Sequence, residues 1–169
     1  MALKTINGIA VASIKTVNGI AAASVKTWGG ETWTHTAYYV AVAHSITPFV
    51  SVYPWSASGF GTKFSNPATL PGDPGAGVAF SKAGTEIAVA HDVTPFITAY
   101  PWSASGFGTK FSDPATLPTG VGNGVAFTTS AIAVAHSVSP FITAYPWSAS
   151  GFGTKFSNPA TLPTGAGNG

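Results

Sequence analysis

Short apolar runs alternate with small and polar residues along most of the chain, and Gly or Pro interrupts them every few residues. In residues 86–91 long and small side chains alternate, and residues 96–100 alternate with a period of two. Runs of this length and period predict β-strands, whereas recurrent Gly and Pro disfavour helices. With residues 77–80 before them and the more polar residues 108–112 after them, they predict a unit of four short strands. We therefore expect an all-β fold.

This four-strand unit occurs three times. Nearly identical segments fill residues 55–71, 102–118 and 147–163, and Ala-Val-Ala-His precedes each of them. The copies are 47 and then 45 residues apart, and the difference falls in the turn at 81–86. A length change confined to a turn leaves strands in register. A period of about 40–50 residues with four strands is typical of β-propeller blades. We predict three blades, which span residues 31–77, 78–123 and 124–169.

A different repeat precedes the blades. Lys-Thr pairs begin at Lys4, Lys15 and Lys26, so the period of this repeat is 11 residues. The first two pairs are each followed by Asn-Gly. Asn-Gly tolerates positive φ at both centres of a tight turn and therefore predicts hairpins. The strands are expected near residues 3–6, 9–16 and 20–28. Because a narrow ribbon cannot bury two faces alone, residues 1–30 are predicted to anchor the chain or to oligomerise it.

Charge and cysteine content narrow the class of protein. Charged residues make up only 7% of the chain, where about 25% is usual, and the net charge is +2. This small, dispersed charge gives no footprint for nucleic acid. The chain has no cysteine, so it contains no disulfide and no thiolate metal site. No apolar run reaches the length of a membrane-spanning helix, and no membrane span and no cofactor are expected.

The polar residues offer little catalytic chemistry. His44, His91 and His136 recur at one repeat position, but equivalent positions on different blades are too far apart to bind one metal ion, so we predict structural hydrogen bonds for them. No carboxylate pair repeats, and neither a nucleophile elbow nor a phosphate loop is present. We predict that the chain is not an enzyme.

Three lysines repeat within Gly-Thr-Lys-Phe, at Lys63, Lys110 and Lys155. On an outer strand a solvated lysine protects the edge against pairing with other chains. The alternative is a ring of positive charge that attracts anionic glycans.

A repeated set of aromatic residues is the best candidate for binding. A Tyr-Pro-Trp segment is followed each time by a Ser-Gly-Phe-Gly loop. Aromatic faces stack on sugars and on apolar partners, but they also fill cores and the spaces between blades, and both interpretations stay open. The candidate residues are Tyr53, Trp55, Phe60, Tyr100, Trp102, Phe107, Tyr145, Trp147 and Phe152.

Two resemblances extend this picture. Residues 77–90, Gly-Val-Ala-Phe-Ser-Lys-Ala-Gly-Thr-Glu-Ile-Ala-Val-Ala, resemble a hairpin of WD-repeat-like and lactonase-like bacterial propellers. Tyr-Pro-Trp stands where WD repeats have Trp-Asp, so the partner chemistry of WD repeats does not carry over. The Lys-Thr-x-Asn-Gly repeats in residues 3–28 resemble leader segments of phage and prophage virion proteins, which precede assorted binding domains.

The resemblances imply a structural and binding component of a phage particle, a tail or capsid decoration or adhesion protein located in the virion. Residues 1–30 would contact other virion proteins, and the blades would project, possible ligands being surface glycans. One alternative is an extracellular carbohydrate-binding propeller lectin assembled from several chains. Another is a scaffold without a ligand.

Three blades cannot close a ring, because propellers have about four to eight. Self-association of two chains, giving six blades, is therefore expected, and three chains would give nine. The alternative is that the chain is part of a longer repeat protein, which supplies the remaining blades.

Overall fold

The computed structural model describes residues 38–168 in full and, before them, six two-residue strands. The chain divides into two compact units, Met1–Ala37 and Tyr38–Gly169. Every regular element among the described residues is a β-strand, and every strand pairing is antiparallel. This part of the chain contains no helix with the length and hydropathy needed to cross a membrane. The predicted all-β class is confirmed.

The first unit contains three short hairpins. Their strands are β1 (Thr5–Ile6) with β2 (Ile9–Ala10), β3 (Thr16–Val17) with β4 (Ile20–Ala21), and β5 (Thr27–Trp28) with β6 (Glu31–Thr32). The strands of the first two hairpins flank Asn-Gly pairs in the sequence, in agreement with the predicted hairpins. The third hairpin pairs Glu31–Thr32, expected in the first blade, with Thr27–Trp28. Residues 11–15 and 22–26 lie outside the described residues, so continuous strands over 9–16 and 20–28 stay predictions.

The second unit contains three sheets, in each of which sequential strands are neighbours. Sheet 1 has β7 (Tyr38–Ala43), β8 (Val50–Ser56) and β9 (Gly59–Phe60). Sheet 2 has β10 (Gly75–Phe80), β11 (Glu86–His91), β12 (Ile97–Ser103) and β13 (Gly106–Phe107). Sheet 3 has β14 (Gly122–Phe127), β15 (Ala131–His136), β16 (Ile142–Ser148) and β17 (Gly151–Phe152). The repeated unit is therefore an antiparallel meander of up to four strands.

The fourth strand differs from the prediction. Strand β13 covers Gly106–Phe107, whereas residues 108–112 were expected. The pairing of Trp102 with Phe107 would continue to Pro101 opposite Gly108. Gly108 donates its N–H to the Pro101 carbonyl at 2.8 Å, but proline has no N–H to return, and the ladder ends there. Residues 108–112 run on beside β12 through one more bond, from Phe111 N–H to the Ala99 carbonyl at 3.0 Å.

The first strand begins earlier than predicted, at Gly75 in sheet 2, and a register shift between Gly75 and Gly77 marks a bulge. Gly75 lies against the carbonyl of Phe49 in sheet 1, and a Cβ there would overlap that oxygen. Gly122 lies in the same way against the carbonyl of Phe96. Sheets 2 and 3 thus each start where only glycine lets the backbone lie against the preceding repeat.

The core lies between the sheets, because the two faces of each sheet differ. In sheet 2 one face, the aromatic face, carries Ile87, Val89, Tyr100 and Trp102. The other, the alanine face, carries Ala88, Ala90, Ile97 and Ala99. Register gives the same two faces in the other sheets. The aromatic faces of sheets 1 and 3 carry Val40, Val42, Tyr53 and Trp55, and Ile132, Val134, Tyr145 and Trp147; the alanine faces carry Ala41, Ala43, Val50 and Val52, and Ala133, Ala135, Ile142 and Ala144.

At both internal interfaces an alanine face packs on the aromatic face of the next sheet. Sheet 2 is covered on both sides, and Ile87, Ala88, Val89 and Ala90 are fully buried. Burial of apolar side chains from two sheets is the main source of stability here.

Candidate functional site

Each sheet holds a local cluster of Tyr, Trp and Phe. In sheet 2, Tyr100 and Trp102 are two residues apart on β12 and so share a face. Phe107 pairs with Trp102 from β13. Its ring lies edge-on, 5.3 Å from the ring of Tyr100 and 5.0 Å from that of Trp102, between centroids. The same cluster forms in sheet 1 from Tyr53, Trp55 and Phe60, and in sheet 3 from Tyr145, Trp147 and Phe152.

The neighbouring sheet completes the surroundings of two of these tryptophans. The Trp102 ring meets Phe64 of sheet 1 at 4.9 Å and Tyr39 of sheet 1 at 5.3 Å, both edge-on. Phe111, which follows sheet 2, approaches Trp147 of sheet 3 in the same way at 5.2 Å. Edge-to-face pairs of this kind stabilise by about 0.5–1.5 kcal/mol beyond the area they bury.

The tryptophan of sheet 1 lies in a different environment. Trp55 is 44% exposed, whereas Trp102 is 4% exposed. Phe60 is 63% exposed, and its counterpart Phe107 is half-buried. The local cluster is intact in both places, so the exposure comes from the missing neighbour and not from a different fold of the segment.

The indole N–H groups of Trp102 and Trp147 are buried and have no hydrogen-bond partner among the described residues. Around each of them lie mostly aromatic rings, whose faces accept hydrogen bonds only weakly. A buried donor without a strong acceptor costs about 1–3 kcal/mol, which the packing of the surrounding rings must offset.

The tyrosine hydroxyls form hydrogen bonds between adjacent repeats of the second unit. The hydroxyl of Tyr100 donates to the carbonyl of Thr69 at 2.8 Å, and that of Tyr145 donates to the carbonyl of Thr116 at 2.7 Å. Burial raises the pKa of both phenols well above the ordinary tyrosine value. Both hydroxyls therefore stay neutral and hold structure, and neither is suited to act as a general base.

The repeated histidines make the structural hydrogen bonds that the sequence predicts. Nε2 of His91 lies 2.9 Å from Oγ1 of Thr98, and Nε2 of His136 lies 2.9 Å from Oγ1 of Thr143. His44 bonds Ser51 in the same way at 3.0 Å. Burial lowers the pKa of His91 and of His136. The described residues contain no cluster of three or more His, Asp or Glu that could hold a metal ion, and His35 lies outside them.

The repeated lysines bind within their own loops. Lys63 and Lys155 each donate to the side-chain oxygen of the Asn three residues on, at 2.6 Å, and Lys110 forms an ion pair with Asp113. Each ammonium also donates to the carbonyl of the following Phe. They follow the fourth strand instead of lying on it, because that strand ends at Phe107 in sheet 2 and at the equivalent Phe in the other sheets.

Two shallow grooves lie on the second unit. One, of about 330 Å³, lies between the hairpin at 81–86 and residues 147–149, and its lining includes Lys82, Glu86 and Trp147. The other, of about 340 Å³, lies on the alanine face of sheet 3 beside Asn168. The first is lined mainly by Ser and Thr hydroxyls beside Lys82 and Glu86, whereas the second is lined almost entirely by apolar residues and glycine.

The structure thus brings the nine predicted aromatic residues together in threes, one cluster per sheet. Tyr100, Trp102 and Tyr145 lie inside, while Trp55 and Phe60 lie at the surface. Ligand binding by any of them stays a prediction. Sequence reasoning missed Phe64, Phe111 and Phe156 as members of the set. Their signal was present, since each ends the repeated Gly-Thr-Lys-Phe.

Comparisons with known proteins assign no relative. No protein-family model matches the chain, and no curated protein matches it. The interpretation of the aromatic site therefore depends on its geometry and on the repeats of the sequence.

Proposed function

We propose that the chain is a non-enzymatic structural and binding protein, a decoration or adhesion component of a phage-like particle, whose three sheets are propeller-type blades. The observation that carries this proposal is that the chain forms two compact units built from different repeats. One unit consists of short hairpins repeated every 11 residues, and the other of three stacked sheets of three or four strands. We assign attachment to the first unit, Met1–Ala37, and projection to the second unit, Tyr38–Gly169.

The use of the polar groups supports a non-enzymatic role. His91 and His136 are buried against threonine hydroxyls, and the tyrosine hydroxyls of sheets 2 and 3 are bonded to backbone carbonyls. Groups engaged in this way lack the free, convergent geometry of an acid–base pair. The propeller arrangement is supported by the repeated packing of each alanine face on the next aromatic face.

Particle attachment is tested by fractionation. Particles from the source sample are separated on a density gradient, and peptides of this chain are quantified in the nucleic-acid-containing particle band. Enrichment in that band is expected. Added recombinant chain is expected to bind stripped particles, whereas chain lacking the first unit, residues 1–37, stays unbound with its thermal transition unchanged. Recovery in the soluble fraction alone contradicts the proposal, and so does equal binding by the shortened chain.

A second candidate function is carbohydrate binding, and the exposure of Trp55 and Phe60 favours it. A sugar ring stacks on an accessible indole face, which the buried Trp102 does not offer. Binding on a glycan array that is lost in Trp55→Ala and retained in Ile46→Ala would support it. Ile46 is 73% exposed and lies in a turn outside the aromatic face, so it controls for a general loss of surface apolar area.

A further inference from the structure

The two internal interfaces of the second unit are built from the same parts. Each joins an alanine face to the aromatic face of the following sheet, and each buries the apolar residues of both. A phenylalanine of one repeat contacts the tryptophan of the next repeat, Phe64 with Trp102 and Phe111 with Trp147. Equivalent residues therefore meet at both interfaces, shifted by one repeat along the chain.

Two further contacts cross each interface at matching positions. The tyrosine hydroxyl of one sheet donates to a threonine carbonyl of the preceding repeat, from Tyr100 to Thr69 and from Tyr145 to Thr116. The turn glycine beside the tryptophan approaches the same phenylalanine. A Cβ on Gly106 would lie 3.3 Å from Phe64, and one on Gly59 would have no neighbour within 4 Å.

The two outer faces of the second unit correspond to the two sides of this interface, but no other sheet of the second unit packs against them. Sheet 1 exposes its aromatic face, where Val42 is 45% and Trp55 is 44% exposed. Sheet 3 exposes its alanine face, where Ala133, Ala135 and Ile142 are half-buried although their counterparts in sheet 2 are fully buried. Beyond it lies Phe156, the third member of the Phe64 and Phe111 series, which is 48% exposed. Exposed apolar patches of this kind mark interaction sites.

The segment around Gly167 lies beside sheet 3 in the way that the start of β10 lies beside sheet 1. Gly167 N–H donates to the carbonyl of His136 at 3.3 Å, as Gly75 N–H donates to the carbonyl of His44 at 3.2 Å. The side-chain amide of Asn123 donates to the Gly167 carbonyl at 2.6 Å. The open face of sheet 3 is thus already arranged for another sheet of the same kind.

We propose that this occupant is a second copy of the chain, bound head to tail, with the alanine face of sheet 3 in one copy against the aromatic face of sheet 1 in the other. Phe156 of each copy contacts Trp55 of the other, and the Tyr53 hydroxyl donates to the Thr161 carbonyl across the interface. The contact is heterologous, so it must close into a ring to be finite. Two copies give six sheets, within the usual range of about four to eight for closed propellers. This assembly goes beyond particle attachment, since it uses only residues of the second unit.

Mass in solution is the primary test. Light scattering or native mass spectrometry of the full chain at about 20 μM, well above the dissociation constants of stable dimers, is expected to give twice the 17.0 kDa of one chain. Trp55→Glu and Phe156→Glu are each expected to give single chains. Ile46→Ala is expected to keep the double mass, because the Ile46 position is exposed in all three units, as Val93 and Val138 are.

Mixing separates the head-to-tail geometry from any other association. The Trp55→Glu chain keeps an intact sheet 3 face, and the Phe156→Glu chain keeps an intact sheet 1 face. An equimolar mixture is therefore expected to form a one-to-one complex that neither variant forms alone. Failure of the mixture to associate, while both variants keep the wild-type thermal transition of the monomer, overturns the proposal.

A milder variant covers the case in which a glutamate prevents folding. Tyr53→Phe removes one hydrogen bond at each of the two interfaces of the ring and is expected to raise the dissociation constant about tenfold to a hundredfold. An unchanged dissociation constant contradicts the predicted contact. A monomeric wild type also overturns the proposal, and Trp55-dependent glycan binding by that monomer would assign the face to a sugar.

Discussion

Sheets 1 and 2 contain the same Tyr-Pro-Trp segment in opposite environments. In sheet 2, Trp102 is enclosed by Tyr39 of sheet 1 and by Phe64, which follows sheet 1. In sheet 1, Trp55 contacts its own Phe60 and remains 44% exposed. The two local clusters have the same arrangement: the centroids of the Trp and Phe rings are 4.9 Å apart in sheet 1 and 5.0 Å apart in sheet 2. The difference teaches that the sheet alone forms the cluster, and that only the neighbouring sheet decides whether the cluster is core or surface.

Truncation of the two tryptophans gives the largest expected contrast. Trp102→Ala removes a side chain enclosed by four rings and is expected to lower the free energy of unfolding by about 3–5 kcal/mol. Trp55→Ala, measured at a concentration low enough for single chains, is expected to cost less than about 1 kcal/mol. Urea denaturation followed by tryptophan fluorescence and far-ultraviolet circular dichroism gives both values. Equal losses would mean that the outer faces are as well covered as the inner ones.

Glycine substitutions test the close approach between sheets. Gly122→Ala places a Cβ against the carbonyl of Phe96 and is expected to cost about 1–3 kcal/mol through forced separation of sheets 2 and 3. Gly165→Ala is the matched control, because a Cβ there has no neighbour within 4 Å, and a change below about 0.5 kcal/mol is expected. The thermal midpoints of the two variants are compared. A stable Gly122→Ala chain would contradict the contact.

Acidification should weaken the interior of sheets 2 and 3. Burial lowers the pKa of His91 and His136 below the ordinary 6.5, so the unfolded chain binds protons that the folded chain does not. Stability is therefore full above pH 6.5 and falls as the pH drops below it, by at most about 1.4 kcal/mol per pH unit for each histidine. Urea midpoints between pH 7.5 and 5.5 measure the slope. The double variant His91→Gln with His136→Gln should flatten it, and an unchanged slope would assign it to other groups.

The smallest contrast comes from the tyrosine hydroxyls. Tyr100→Phe leaves the Thr69 carbonyl without its donor and is expected to cost about 1 kcal/mol. Tyr53→Phe in a single chain is expected to change the free energy of unfolding by less than about 0.5 kcal/mol. Both values come from the same urea titration. A larger effect at Tyr53 than at Tyr100 would contradict the assignment of interior and surface.

Much of the fold follows from repeats and local chemistry. The Asn-Gly pairs of the first repeat predicted the two hairpins whose strands flank them, and period-two alternation predicted the strands over 86–91 and 96–100. The end of the fourth strand was also encoded, in the missing N–H of Pro101. It was not predicted, because the partner of Pro101 lies across a turn whose register only the structure fixes.

The candidate site was harder to predict, because repeated residues carry no label for their environment. Trp55 and Trp102 are preceded and followed by nearly the same residues, yet one is surface and the other core. Burial here depends on contacts between residues about 40 positions apart, such as Phe64 with Trp102, which single-sequence periodicity does not report. The nearer pairing of His91 with Thr98 follows a hairpin and was accessible to prediction.

The unlike faces of each sheet have a consequence for the history of the chain. Every sheet offers one kind of surface to the unit before it and another kind to the unit after it, so an array of any length ends on the same two surfaces. Unequal exchange between such similar gene segments can add or delete one whole unit without altering a contact at the remaining junctions. Array length can therefore change in a single genetic step, and the number of units per closed assembly can change with it.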